Sequence, residues 1–246
     1  MPNDPLLDSS VQWRINSGAI ELQEPTHREV VRTILSSGLA TEVIGLISAG
    51  KEANVYLAAY KGGPLAVKAY RLYRTSHRGG GPIKADSMGW RAATEFELLR
   101  QAWKGGARVP APAGRVENML SMRYLGDDAG PAPRLHDVRL EDPPEFLDRV
   151  LAGIEALARA GVVHGDMSAF NILVHDGDPW FIDLSEGVRV DRSGAAPWRR
   201  LTLASEALRQ GLAALQVYFR KYRVSIDVES VRARTMEFLD RFGVLK

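Results

Sequence analysis

The chain has 246 residues, of which 45% are hydrophobic and 25% are charged, and this composition is typical of a globular protein with a buried core. It contains no cysteine, which excludes disulfide bonds, cysteine-ligated zinc and thiol nucleophiles. The 32 basic and 30 acidic residues give a net charge of only +2, so the charge balance does not indicate a dedicated nucleic-acid-binding protein.

The first 25 residues are polar and contain three prolines, so they are predicted to form a loosely held arm. Neither they nor any later window has the apolar length of a signal sequence or a membrane span, and a cytoplasmic protein without membrane contact is expected. Thr26 can cap a helix that begins at His27 and ends near Gly38. The predicted apolar face of this helix consists of Val30, Val31, Ile34 and Leu35.

Three short apolar runs then predict an antiparallel β-meander, because turn residues at Gly50 and at Gly62-Gly63-Pro64 interrupt them. The runs are residues 43–47, 55–59 and 65–69. After a loop rich in Gly, Arg and Ser, a helix is predicted over residues 88–103, and residues 119–125 predict a further strand. The buried side of that helix is predicted to contain Phe96, Leu99 and Trp103.

The second half of the chain is predicted to be mainly helical. Apolar residues at helical spacing predict helices at residues 145–160, 198–221 and 227–242. Between the first two, the turn His175-Asp176-Gly177-Asp178 predicts a β-hairpin. A β-rich first half followed by a helical second half predicts an α+β fold with two lobes.

The strongest chemical signal is the sequence His164-Gly165-Asp166-Met167-Ser168-Ala169-Phe170-Asn171, which is followed by the predicted hairpin and then by Asp183. Phosphoryl transfer from ATP needs a carboxylate that orients the attacking hydroxyl group and oxygen ligands that hold Mg²⁺. Asp166 is predicted to be the catalytic carboxylate. Asn171 and Asp183 are predicted to bind Mg²⁺ or Mn²⁺, since a hairpin would bring both residues to its open end.

A second segment, with the sequence Ser48-Ala49-Gly50-Lys51-Glu52-Ala53-Asn54-Val55-Tyr56, is predicted to bind phosphate. Gly50 permits close approach of the backbone, and Ser48 and Lys51 offer a hydroxyl donor and a cation. By itself, this segment also fits an ordinary hairpin turn.

A lysine in the next apolar strand, Lys68, needs a partner for its charge. The phosphate oxygens of ATP and the carboxylate of Glu95 are the predicted partners, whereas Glu97 is predicted to face another side of the same helix. The alternative is a lysine at a strand edge whose ammonium group reaches water.

Together these residues resemble the RIO family of atypical serine/threonine protein kinases over residues 27–225. The segment from Ser48 to Tyr56 resembles the family's phosphate loop, S-T-G-K-E-A-x-V-Y, except at Ala49. The residues from His164 to Asn171 resemble its H-x-D-x-S-x-x-N loop, and Ile182-Asp183-Leu184-Ser185 resembles its I-D-x-S metal loop. Residues 131–138 are also similar. With no winged-helix sequence ahead of the matched region, the chain resembles the first RIO subfamily, a minimal kinase core.

The resemblance implies a bilobal protein-kinase-like fold with a β-rich N-lobe, a mainly helical C-lobe and no long activation segment. The implied kinase domain covers residues 26–246, with the N-lobe at 26–122, the hinge at 123–126 and the C-lobe at 127–246. The residues implied to bind ATP are Ser48, Gly50, Lys51, Glu52, Val55, Lys68, Glu95, Met122 as gatekeeper, and Arg123 and Leu125 of the hinge. In some family members the metal-loop aspartate is itself phosphorylated, which would make Asp183 a catalytic residue.

The family also implies a protein substrate that is phosphorylated on serine or threonine. One alternative is a small-molecule kinase of the aminoglycoside or choline type, which Gly165 favours, whereas the phosphate loop and residues 131–138 favour the RIO family. The other alternative is a ribosome- or RNA-binding assembly factor gated by ATP hydrolysis, with the basic residues 71–78 as its contact.

Overall fold

In a computed structural model of the chain, the described residues are 22–23, 25–50, 52–71, 74–75, 85–190 and 197–243, together with Trp13 and Ser17. They belong to two compact units. The first comprises the residues up to Thr94 and Ala113–Tyr124, and the second comprises Glu95–Pro112 and the residues from Leu125 onward. Most of the predicted N-terminal arm and most of the basic stretch at 71–78 lie outside the described residues.

The first unit is built on a five-stranded sheet. Its strands are β2 (Glu42–Ala49), β3 (Ala53–Tyr60), β4 (Gly63–Tyr70), β6 (Pro112–Val116) and β7 (Met119–Arg123). They are arranged in the order β2-β3-β4-β7-β6, and β2, β3, β4 and β7 pair in antiparallel fashion. The predicted meander is thereby confirmed. Two short strands, β1 (Leu22–Gln23) and β5 (Arg74–Thr75), form a separate antiparallel pair.

Helix α1 (His27–Ser36) begins where the sequence predicts it to begin, at a capping box. The hydroxyl group of Thr26 accepts a hydrogen bond from the Glu29 amide, and the Glu29 carboxylate accepts one from the Thr26 amide at 2.8 Å. Ile34 is fully buried in the sheet's apolar core. Leu35 is 41% exposed, so its predicted burial was wrong. The buried stripe is centred on Val30 and Ile34, and Leu35 is rotated about 100° beyond Ile34.

Helix α2 (Ala85–Lys104) contains the predicted helix of residues 88–103. Its buried residues include Glu95, Leu98, Leu99 and Ala102, which follow helical spacing. Trp103 lies next to this stripe and is 48% exposed, so the prediction that it faces the core was wrong.

The second unit is mainly helical, as predicted. Its helices are α3 (Pro143–Arg159), α4 (Pro197–Phe219) and α5 (Val228–Gly243), with 3-10 turns at Leu135–Asp137 and Arg220–Tyr222. Three antiparallel strand pairs complete it: β8 (Gly126–Asp127) with β9 (Gly130–Pro131), β10 (Val162–Val163) with β13 (Val188–Arg189), and β11 (Ile172–His175) with β12 (Asp178–Phe181). None of the described helices is long and apolar enough to span a membrane.

Candidate active site

The predicted hairpin is formed by β11 and β12, and it brings Asn171 close to the residue before Asp183. Its turn residues, Asp176 and Gly177, have φ angles of 53° and 76°, which is the two-residue turn that matches the twist of paired strands. Beyond the last strand pair, the amide of Ile182 donates to the carbonyl oxygen of Asn171 at 3.0 Å. Asn171 and Asp183 therefore both lie at the open end of the hairpin.

Asn171 also fixes the position of Asp166. Its side-chain amide nitrogen donates to the Asp166 backbone oxygen at 2.7 Å and to Oδ2 of the Asp166 carboxylate at 3.0 Å. The two hydrogen atoms of the Asn171 side-chain amide can thus both be donated to Asp166. These hydrogen bonds do not use the side-chain oxygen of Asn171. Asp166 is itself exposed, so its carboxylate can meet an acceptor group from solvent.

A buried histidine connects this loop to the strand that leads to Asp183. His164 is 2% exposed, and its Nε2 lies 2.9 Å from the carbonyl oxygen of Ile182. Burial lowers the pKa of His164 below its usual 6.5, which favours the neutral ring. Because a carbonyl oxygen only accepts, Nε2 must carry the proton and donate it. We interpret His164 as a residue that positions both Asp166 and Asp183.

Gly165 allows the same two loops to touch. Its φ angle is +67°, and a Cβ atom at this position would overlap the backbone carbonyl of Glu186. Both the backbone conformation and the lack of space therefore require glycine. The glycine that favoured a small-molecule kinase in the sequence thus has a structural explanation that is independent of the substrate.

Asp183 has a φ angle of +63°, which is unusual for a residue other than glycine. Its Oδ1 accepts hydrogen bonds from the Ser185 hydroxyl group at 2.7 Å and from the Ser185 amide at 3.3 Å. Aspartate tolerates this conformation when its side chain bonds to the backbone two residues later. Ser185 therefore sets the orientation of the predicted metal ligand.

The oxygen atoms of Asn171 and Asp183 suit Mg²⁺, which prefers hard oxygen ligands. Within the described residues, no group of three or more His, Asp or Glu side chains could hold a metal ion. A two-residue site fits Mg²⁺ nevertheless, because this ion usually keeps water molecules and binds phosphate oxygens in addition to one or two protein ligands.

In the first unit, three of the predicted ATP-binding residues lie in a row across the strands β2, β3 and β4. Ser48 pairs with Val55, Val55 with Lys68, and Lys68 with Leu120. Directly paired residues project from the same face of a sheet, so Ser48, Val55 and Lys68 share one face. Lys68 is 7% exposed, and its ammonium nitrogen lies 5.0 Å from the centre of the Tyr70 ring.

The predicted phosphate loop between β2 and β3 is tight at Gly50. The Gly50 amide donates to the carbonyl oxygen of Ala53 at 2.9 Å, and a Cβ atom on Gly50 would lie 2.9 Å from that same oxygen. The predicted site residue Lys51 lies outside the described residues.

Glu52 is held by two contacts within the first unit. Its carboxylate forms an ion pair with Arg91 of α2, and its backbone oxygen accepts a hydrogen bond from the Arg71 amide at 2.8 Å. Sequence reasoning missed Arg91, because the pair is 39 residues apart and no local spacing connects it. Contact of Glu52 with ATP stays a prediction.

The remaining predicted ATP residues are accounted for individually. Glu95 is 2% exposed and Glu97 is exposed, so the two residues lie on different sides of α2 as predicted. The pairing of Glu95 with Lys68 stays a prediction. Met122 lies on β7 opposite Ala66 of β4. The two compact units divide after Tyr124, inside the predicted hinge at 123–126. Of the two hinge residues predicted to bind ATP, Arg123 is exposed and Leu125 is buried. The Leu125 carbonyl oxygen accepts a hydrogen bond from the Ala132 amide at 2.9 Å.

Comparison with known proteins gives consistent matches. A family model described as the RIO domain matches residues 81–231. The RIO-type serine/threonine-protein kinase Rio1 of Haloferax volcanii is 33% identical over 204 residues, which cover 76% of this chain and 66% of the relative. The serine/threonine-protein kinase RIO1 of Caenorhabditis elegans is 32% identical over 78% of this chain and 42% of the relative. The chain thus spans less than two thirds of the length of these relatives.

A solved structure has the same fold. The Rio2 kinase of Chaetomium thermophilum, crystallised as an ADP/Mg²⁺–phosphoaspartate complex, matches 96% of this chain and 80% of that chain, with a TM-score of 0.61 and 20% sequence identity. The similarity supports the kinase-like α+β fold that the sequence predicts.

Proposed function

We propose, since the chain belongs to the RIO family, that it is an ATP- and Mg²⁺-dependent phosphotransferase of the serine/threonine protein kinase type. The observation that carries the proposal is the hydrogen-bonded set of Asp166 and Asn171 at the open end of the hairpin that leads to Asp183. A protein serine or threonine is the proposed acceptor, and the cytoplasm, where ATP is supplied, is the proposed location.

Each residue has a distinct part in the proposed reaction. The serine or threonine oxygen forms a bond to the γ-phosphorus of ATP, the bond from that phosphorus to the β,γ-bridging oxygen breaks, and ADP leaves. Asp166 accepts the proton of the attacking hydroxyl group, and Asn171 holds its carboxylate in place. Lys68 places a positive charge among the phosphate oxygens. Asn171 and Asp183 would hold Mg²⁺, which supplies charge neutralisation at the phosphates.

A second proposed activity uses Asp183 as the acceptor. The Ser185 hydroxyl group holds this carboxylate in a fixed orientation, and the Rio2 kinase of similar fold was crystallised with a phosphoaspartate. A carboxylate oxygen would bond to the γ-phosphorus as ADP leaves, and water would later release inorganic phosphate. Such a cycle would be an ATPase switch. Association with ribosomes or RNA stays a prediction, and its expected contact, the basic residues 71–78, lies mostly outside the described residues.

Two substitutions test the division of labour. Asp166→Asn should leave MgATP affinity nearly unchanged and lower turnover by about 10²–10⁴-fold, because it removes a proton acceptor. Asp183→Asn should impair both MgATP binding and turnover, because it removes a metal ligand. Calorimetric MgATP titration, together with phosphate transfer to a protein substrate and phosphate release, measures these effects. A hydroxylamine-sensitive label on the wild type would identify the aspartyl-phosphate.

The matched control is Asp176→Asn, the same chemical change in the exposed turn of the same hairpin, where the Asp176 side chain is 86% exposed. It should leave binding and turnover unchanged. If Asp166→Asn and Asp183→Asn lost MgATP binding equally, the proposed roles of the two aspartates would be wrong.

A further inference from the structure

An exposed aromatic stack includes a residue of the loop that carries the proposed catalytic carboxylate. Phe170 directly precedes Asn171 in the catalytic loop and is 49% exposed. The imidazole ring of His136 stacks on it, with 4.1 Å between ring centres and an angle of 20° between the ring planes. We call this pair the His136–Phe170 platform. The Phe170 ring is thus only half covered by the protein, and a ligand can reach it from solvent.

The platform is held firmly in place by the 3-10 turn Leu135–Asp137. The His136 amide donates to the carbonyl oxygen of Ala169 at 3.0 Å, which ties the turn to the catalytic loop. Leu135 is fully buried, and its carbonyl oxygen accepts a hydrogen bond from the Tyr218 hydroxyl group at 2.6 Å. A ligand would therefore meet a surface that is already ordered, which lowers the entropy cost of binding.

The charges around the platform favour a cation. Asp137 is exposed, and its Oδ1 lies 2.9 Å from Nδ1 of His136, while Asp166 is exposed in the same loop as Phe170. Arg134 and Arg139 are the exposed basic residues on the two sides of the turn, and the backbone of Arg134 pairs with Leu173 of β11. The Asp137 carboxylate at the platform disfavours the phosphates of a nucleic acid, which carry the same charge. A guanidinium group, in contrast, stacks on aromatic rings and pairs with carboxylates.

We propose that the His136–Phe170 platform binds an arginine side chain of the protein substrate, close to the serine or threonine that is phosphorylated. The guanidinium group would lie against the Phe170 ring and pair with the Asp137 carboxylate. This inference rests on the proposed protein kinase function, and it adds a substrate preference to that function.

The test uses peptides that contain one serine in a neutral sequence, with arginine placed in turn at each neighbouring position. Citrulline, lysine and leucine replace arginine as controls, because citrulline keeps the planar shape without the charge and lysine keeps the charge without the planar shape. The specificity constant kcat/KM is measured with MgATP. The peptide Kd is measured separately by calorimetry with Mg²⁺ and a non-hydrolysable ATP analogue, so that binding is seen without phosphate transfer.

At one position, arginine should give a kcat/KM and an affinity higher than citrulline or leucine by about 3- to 30-fold. Phe170→Leu should abolish this preference, and Phe170→Tyr should retain it, because tyrosine keeps the aromatic face. Asp137→Asn should reduce the preference for arginine over citrulline. Asp137→Asn changes an exposed polar residue, so it still tests the inference if Phe170→Leu does not fold.

Equal affinity and equal kcat/KM for arginine and citrulline peptides on the wild type would overturn the inference, as would a preference that survives Phe170→Leu. Platform-dependent binding of single-stranded RNA in place of the arginine peptides would also overturn it. If arginine-dependent binding is present but no peptide is phosphorylated and no ATP is consumed, the binding of arginine by the platform stands and the proposed kinase function fails.

Discussion

The contact between Gly165 and Glu186 makes a quantitative prediction for Gly165→Ala. Alanine at a φ angle of +67° costs about 1–2 kcal/mol of stability, because an L-residue is strained there. Displacing the Glu186 carbonyl from the new methyl group adds about 1–3 kcal/mol, so the free energy of unfolding should fall by about 2–5 kcal/mol in all. Since Gly165 adjoins Asp166, the displacement should also lower phosphate transfer by about 10²-fold.

The matched control is Gly177→Ala in the turn between β11 and β12. Gly177 has a φ angle of +76°, but no atom lies within 4 Å of an added Cβ. This variant should lose only about 1–2 kcal/mol and keep its activity. Both glycines belong to the second unit, so urea unfolding followed by circular dichroism compares them in the same transition. If Gly165→Ala were no less stable than Gly177→Ala and fully active, the close approach to Glu186 would not be a constraint.

Three further predictions concern other contacts of the site. Lys68→Met should keep the fold, since methionine retains the apolar stem, but should weaken MgATP binding and turnover; full activity in a phosphate-release assay would contradict the proposed role. Glu52→Gln and Arg91→Met should each change the melting temperature little, because the ion pair is partly exposed, but each should raise the KM for ATP. The KM of the double variant should be no higher than that of either single variant. Additive increases would argue against a shared contact. The stability due to neutral, buried His164 should be complete above pH 6.5 and should decrease as the pH falls below it, because only the unfolded chain then binds the proton. The urea midpoints measured at pH 7.5 and pH 5 should therefore differ less in His164→Asn than in the wild type. An equal difference in the two proteins would refute this role of His164.

Features set by neighbouring residues could be predicted from the sequence. The capping box at Thr26, the two-residue turn at Asp176 and Gly177, and the helical spacing of α3 all depend on contacts within a few residues. For that reason the sequence alone predicts the hairpin that brings Asn171 and Asp183 to its open end.

Features set by distant residues could not be predicted in the same way. The ion pair of Glu52 with Arg91 and the stacking of His136 on Phe170 join segments that no spacing rule relates. The burial of Leu35 and Trp103 was predicted wrongly for a similar reason. Helical spacing identifies an apolar stripe, but the packing partner decides where the edge of that stripe lies.

The row that places Ser48, Val55 and Lys68 on one face has a consequence for insertions and deletions. Strands β3 and β4 are joined by Lys61 and Gly62, whose φ angles of 50° and 84° fix the pairing of every later residue. Because successive strand residues alternate between faces, removal of a single residue between this turn and Lys68 would turn the ammonium group to the opposite face. Substitutions in this turn should therefore be tolerated far better than the insertion or deletion of one or three residues. Across a series of insertions and deletions in this segment, those of odd length should lose function and those of even length should retain more of it.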